Sequence, residues 1–308
     1  MHIKTLILIL ILILMLTACQ TESMIIFKGS SEKTTSYTSS GWCPSRQHTC
    51  WQSPSSGSTQ QTTFILAASA NVGDLTKTHQ DAQQFQQAMQ ERFPNNQVCL
   101  LENVCRAEFE QALTDLTPLV KSTNRVIIFF SGHGSQVKDN DGDERDSQDE
   151  VLVTVDVTDL ERPDRQDVVT DDRLVELVDD WSTEQVITFI DACLSGGMNK
   201  SRNSPVRNKY FFGGALGTIP RPLMAAEMVR QANGLQHLKG VILTASQEYE
   251  SAGENEEGGI FTTNFLKQLT LHPQASLAEV FDYTQAEVPQ LNPVQHPRLM
   301  GNRALLEN

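Results

Sequence analysis

The chain has 308 residues, enough for one large domain or two small ones. Lys and Arg number 24 against 38 Asp and Glu, a net charge of −14, and these bulk electrostatics argue against a nucleic-acid partner. With 39% hydrophobic and 20% charged residues the composition is that of a soluble globular protein, the first twenty residues excepted.

Those first residues carry an unbroken apolar run of 11, Leu6 to Leu16, after a weakly basic start at Lys4. The run is too short to span a bilayer and reads as a secretory signal. Leu16-Thr17-Ala18-Cys19 follows and resembles a bacterial lipobox. The resemblance implies that residues 1–18 are removed and that Cys19 becomes the lipidated first residue, anchored in the cell envelope. An uncleaved hydrophobic anchor is the alternative, and both face the protein outward from a membrane. Gln20 is not the aspartate that often retains lipoproteins at the inner membrane, which points to the outer membrane or cell surface. Residues 19–61, rich in Ser, Thr and Gln without apolar periodicity, read as a tether, leaving 62–308 for the folded domain.

Of six cysteines, Cys19 is taken by the lipid and Cys193 belongs to the motif below. The other four fall into two close pairs. An oxidising compartment favours local disulfides, Cys43–Cys50 and Cys99–Cys105 being the economical pairings, although spacing does not fix connectivity. A zinc site is the rival, without the usual CxxC spacing.

The domain opens on a buried strand, Thr63 to Ala68. A helix is expected from about Thr78 to Arg92, with Ala82, Phe85, Ala88 and Met89 on one face. A short strand follows at 97–101 and a second helix over 107–121. Val126-Ile127-Ile128-Phe129-Phe130 is a fully buried strand that runs into Ser131-Gly132-His133-Gly134. An acidic loop and a strand over 151–155 come next, then a helix starting at Thr170-Asp171-Asp172 and running to about Trp181. Val186-Ile187-Thr188-Phe189-Ile190 is a second buried strand and ends in Asp191-Ala192-Cys193. Residues 198–239 break the rhythm, a strand returns at 240–246, and a helix opens near Gly258-Gly259. Strand and helix alternate, which argues an α/β sandwich with a mainly parallel sheet.

If the two buried strands are parallel neighbours, His133 and Cys193 project from one sheet edge, where open α/β sheets place their chemistry. The imidazole then favours a thiolate that attacks a carbonyl. Amides of Gly134 and Cys193, on tight turns, are the natural oxyanion donors.

The boxes Ser131-Gly132-His133-Gly134-Ser135-Gln136 and Asp191-Ala192-Cys193-x-Ser195-Gly196, with the acidic run through Asp149-Glu150, resemble the signature of the metacaspases, called orthocaspases in some bacterial forms. The resemblance covers roughly residues 62 to 303 and departs at Leu194, where many relatives have histidine. It implies a caspase-like three-layer α/β sandwich and a cysteine endopeptidase. Gingipains and legumains share the His-before-Cys order; the acidic run and the Asp-Asp pair favour metacaspase. A non-catalytic caspase-fold surface module is the alternative from another class.

The resemblance also implies calcium, held by Asp149, Asp171 and Asp172, and calls for no organic cofactor. Residues 139–150 hold seven carboxylates, suited to a hard cation but off the EF-hand template; a solvated acidic loop is the bland reading. For substrate, Asp81 resembles the metacaspase pocket aspartate. Asp191 stands where a caspase carries glutamine, and Ser131 offers a hydroxyl. Two carboxylates in a desolvated pocket bind guanidinium or ammonium and repel acid, so cleavage after Arg or Lys is expected. Asp81 could instead serve the helix dipole, and Asp191 the backbone of the turn. Self-processing is expected within about 198–239, after one of Lys200, Arg202, Arg207, Lys209 or Arg221.

Overall fold

The computed structural model describes residues 50–52, 61–140, 148–159, 163–193, 206–209, 234–247 and 250–307. Cys19, Cys43, most of the acidic run and most of the 198–239 loop, with the expectations attached to them, lie outside these residues.

Four strands with apolar residues on both faces make the centre of one sheet: β1 (Thr63–Ser69), β3 (Arg125–Ser131), β7 (Val186–Asp191) and β9 (Val241–Thr244). With β2 (Asn96–Glu102) and β11 (Arg298–Gly301) at the edges, the order is β11-β9-β7-β3-β1-β2. Every pairing is parallel except β11 with β9. Continuous apolar runs are what a sheet covered on both faces requires.

Alternate residues feed two cores. Phe64, Leu66, Val126, Ile128 and Phe130 pack on one face with Phe109 of α2 (Arg106–Thr114) and Leu174 of α3 (Asp171–Asp179). Ile65, Ala67, Ile127, Phe129 and Phe189 pack on the other. There they meet Phe85 of α1 (Thr78–Arg92), Phe265 of α4 (Ile260–Leu271) and Phe281 of α5 (Leu277–Leu291). Phe85 stacks on Phe129 at 4.3 Å. The result is the expected three-layer α/β/α sandwich.

Strand order reverses between β1 and β3: from β1 the chain steps outward to β2, then crosses to β3 on the other side. The crevice beyond the carboxyl ends of these strands is where such sheets bind ligands. Two small sheets frame it. Strands β4 (Gly134–Lys138), β5 (Gln148–Val153) and β6 (Val168–Thr170) form one; β8 (Arg207–Asn208) and β10 (Gly253–Glu254) form the other.

Several expectations are corrected. The second helix stops at Thr114 rather than 121, in a run of turns containing Pro118, whose ring nitrogen has no N–H to donate to Thr114. Both near-neighbour disulfide pairings are replaced. Cys50 bonds Cys99, 49 residues away with Cα atoms 5.0 Å apart, and Cys105 is bonded too, so it cannot pair with Cys99. Cys193 is the free cysteine among the described residues. The expected tether is partly structured: Trp51 is buried against Phe64, and its indole N–H donates to the Ala112 carbonyl at 2.8 Å. No helix among the described residues is long and apolar enough to cross a membrane.

Candidate active site

The register of β3 and β7 aligns Ser131 with Asp191. His133 and Cys193 each lie two residues beyond that pair, so both stand at one sheet edge. The turns that carry them touch through backbone. A Cβ on Gly134 would lie 1.7 Å from the Cys193 carbonyl oxygen, so only glycine permits this approach. His133 and Cys193 are both buried. His133 Nε2 lies 3.6 Å from Asp74 Oδ1, on the loop between β1 and α1. The hydrogen bond to His133 is the main cause holding the Asp74 carboxyl below its ordinary range; partial burial opposes it.

The Cys193 sulfur accepts from the Ala252 amide at 2.9 Å. Burial pushes the thiol up to about 12; the Ala252 backbone and the Lys209 charge pull the other way and do not offset it. In this arrangement the sulfur keeps its proton at neutral pH.

The expected oxyanion donors converge on one acceptor, the backbone carbonyl of Lys209. Gly134 N–H donates to it at 2.9 Å and Cys193 N–H at 3.3 Å. Arg207 and Asn208, the two residues of β8, lead the chain to that point. Arg207 and Asn208 pair antiparallel with Glu254 and Gly253, and Lys209 N–H donates to the Ala252 carbonyl at 3.0 Å.

The Lys209 side chain enters a closed pocket built from the three residues read as substrate-binding. Its Nζ lies 3.1 Å from Asp81 Oδ2, 3.1 Å from Asp191 Oδ1 and 2.8 Å from Ser131 Oγ. All four residues are fully buried. Ser131 Oγ donates to Asp81 at 2.8 Å, as does the Gly259 amide at 2.9 Å. Thr262 Oγ1 donates to Asp191 at 2.5 Å. Burial drives the Asp81 carboxyl up to about 6 against the pull of Lys209. Burial pushes the Lys209 ammonium down, but the charges of Asp191 and Asp81 outweigh it and the net direction is up. A buried cation needs such partners.

Asp149, Asp171 and Asp172 are not arranged around an open cation site. Arg165 bridges two of them, in contact with Asp149 and 3.3 Å from Asp172. Asp171 accepts the Asp172 amide at 3.0 Å. Among the described residues no group of three or more His, Cys, Asp or Glu side chains is placed to hold a metal. In this arrangement the Arg165 guanidinium stands where a cation shared by Asp149 and Asp172 would.

Four participants went unread in the sequence. Asp74, Glu254 and Gly259 lie in loops or short strands without periodicity, and Ala252 acts through its backbone. Lys209 was one of five basic residues with nothing local to set it apart.

With this geometry in hand the family is clear. The caspase domain family model matches residues 63–303, and the chain belongs to that family. Metacaspase-6 of Arabidopsis thaliana is 31% identical over 160 residues, 50% of this chain and 40% of the relative. Metacaspase-1 of Saccharomyces cerevisiae is 24% identical over 223 residues, 59% of this chain and 50% of the relative. The chain thus spans half or less of the length of these relatives. The crystal structure of a Geobacter sulfurreducens protein matches 81% of this chain and 97% of its own with a TM-score of 0.57. At 18% identity that likeness bears on the fold alone.

Proposed function

We propose that the protein is a cysteine endopeptidase that cleaves after Lys or Arg, and that its first substrate is its own Lys209–Tyr210 bond. One observation carries this reading: the Lys209 carbonyl accepts from Gly134 and Cys193 while its ammonium lies between Asp81 and Asp191. A side chain and a carbonyl held together in this way are what a peptidase asks of the residue before its scissile bond.

In the reaction His133 takes the Cys193 proton and the thiolate attacks the Lys209 carbonyl carbon. The carbonyl becomes an oxyanion held by the two amides. Collapse breaks the C–N bond, and the Tyr210 amine leaves with the proton from His133. Water, deprotonated by His133, then hydrolyses the thioester and restores the thiol. An acidic side chain in the pocket would face two carboxylates and lose Coulomb energy on entry.

Mass spectrometry of the purified full chain tests this directly. Wild type is expected to end one fragment at Lys209, and Cys193→Ala and Lys209→Gln to stay intact at that bond. An active wild type with the bond uncut, or cleavage of peptides after aspartate, would overturn it. The rival reading, a non-catalytic caspase-fold binding module, has the buried, protonated thiol in its favour. Labelling of Cys193 by an electrophilic peptide, lost in His133→Ala, eliminates it.

The lipobox resemblance extends the reading to an envelope lipoprotein anchored through Cys19. Cys19→Ser is then expected to abolish acyl labelling and release the protein from membranes; unchanged labelling removes the anchor. Calcium activation rests on the family resemblance alone.

A further inference from the structure

Arg207 stands third before the Lys209–Tyr210 bond, and the register pairs it directly with Glu254. Opposed residues of an antiparallel pair place their side chains on the same face. The Arg207 guanidinium donates to Glu254 Oε1 from Nε at 3.0 Å and contacts it from Nη2 at 3.0 Å. Its Nη1 lies 3.5 Å from Glu256, and Nη2 donates to Thr76 Oγ1 at 3.1 Å. Glu254 is fully buried. A carboxylate buried in this way needs a counter-charge. Arg207, on the segment that lies in the cleft, supplies it.

The same carboxylate has a second task. Its Oε1 accepts the Thr76 amide at 2.9 Å, and its Oε2 the Lys77 amide at 3.1 Å. Thr76 and Lys77 belong to the loop between β1 and α1, the loop that holds Asp74 3.6 Å from His133 Nε2. Glu254 is therefore one acceptor shared by the strand in the cleft and the loop behind the histidine.

We propose that Glu254 is the floor of a third subsite that takes an arginine two residues before the basic one, and that filling it fixes the Asp74 loop against His133. This rests on the reading of residues 206–209 as a substrate in cis. The substrate class narrows from chains with one basic residue to chains with Arg-x-Lys or Arg-x-Arg before the bond. Asp74 is a positioning residue here: it touches the imidazole and not the substrate.

The test uses the full-length wild-type protein and fluorogenic tetrapeptides with lysine before the bond. The third residue before the bond is arginine, its neutral isostere citrulline, or glutamate. A hydrogen-bonded charge of this kind corresponds to about 10- to 100-fold in kcat/KM in favour of arginine over citrulline. A substantial part is expected in kcat, because an occupied subsite sets the histidine as well as binding the chain. In Asp74→Asn the kcat part disappears while the KM part remains; in Glu254→Gln both disappear. Equal kcat/KM for arginine and citrulline in wild type would overturn the subsite without any variant having to fold. A preference confined to KM would overturn the coupling to Asp74. Cleavage of none of the lysyl peptides would overturn the underlying reading instead, and the subsite with it.

Discussion

A methyl group on Gly259 would lie 2.1 Å from Asp191 Oδ2 and 2.5 Å from Lys209 Nζ. Gly259 caps α4 with φ −61°, a conformation open to any residue, so glycine is there for space and not for backbone freedom. The lysine pocket exists because one of its walls has no side chain.

Gly259→Ala is therefore expected to fold and to lose the pocket. Self-cleavage at Lys209 and turnover of lysyl and arginyl peptides should fall at least about 100-fold, the scale of a mispositioned substrate. Thermal melting and an arginyl-peptide progress curve check both halves. Full activity in this variant would show that the pocket wall can retreat.

The pocket should be sensitive to acid. The Asp81 carboxyl is raised to about 6, chiefly by burial. Below that pH it is protonated and no longer attracts a cation, so affinity for a guanidinium falls as pH drops through about 6. The inhibition constant of agmatine against an arginyl peptide should rise across pH 7 to 5. Asp81→Asn should bind agmatine weakly and with a flatter pH dependence. An unchanged slope in that variant would move the titration elsewhere.

Arg165 gives calcium a competitor. A cation of the chain already neutralises Asp149 and Asp172. In wild type, millimolar calcium and a chelator should give the same melting temperature. In Arg165→Ala the freed carboxylates should bind calcium, and stability should rise with its concentration as ligand linkage requires. A wild type stabilised by several degrees in calcium would displace Arg165 from this role.

The Cys50–Cys99 bond closes a loop of 49 residues. Chain entropy puts its contribution at about 4 kcal/mol. Cys50→Ser is expected to lower stability by that order and to expose Trp51, read by denaturant midpoint and indole fluorescence. No change in either would mean that Trp51, its bond to Ala112 and the disulfide at Cys105 hold the segment without it.

What the sequence revealed follows from where burial is two-sided. Strands β3 and β7 are buried on both faces, so their apolar runs could be read directly, and His133 and Cys193 stood out through their places at the ends of those runs and through the family boxes. Helix α1 announced itself by period, with Asp81 on its buried side. Strand β11 did not: its residues are half-exposed or exposed and include Arg298, so no apolar run marks it. Helix α5 went unread with Pro289 inside it. The paired roles of Arg207 and Glu254 were illegible for a different reason. Each is an ordinary charged residue in an irregular stretch, and only the pairing of two two-residue strands makes one the counter-charge and the other the anchor.

The disulfide also decides how the domain bears force. A load pulling on the chain ahead of Cys50 would otherwise peel β1, the strand at which the sheet reverses order and beside which the site is built. The Cys50–Cys99 bond passes part of that load to β2 at the sheet margin, the disulfide at Cys105 takes another part to the start of α2, and Trp51 seats the junction in the core. The junction between the leading segment and the sheet therefore sits at the sheet margin and not at the crevice.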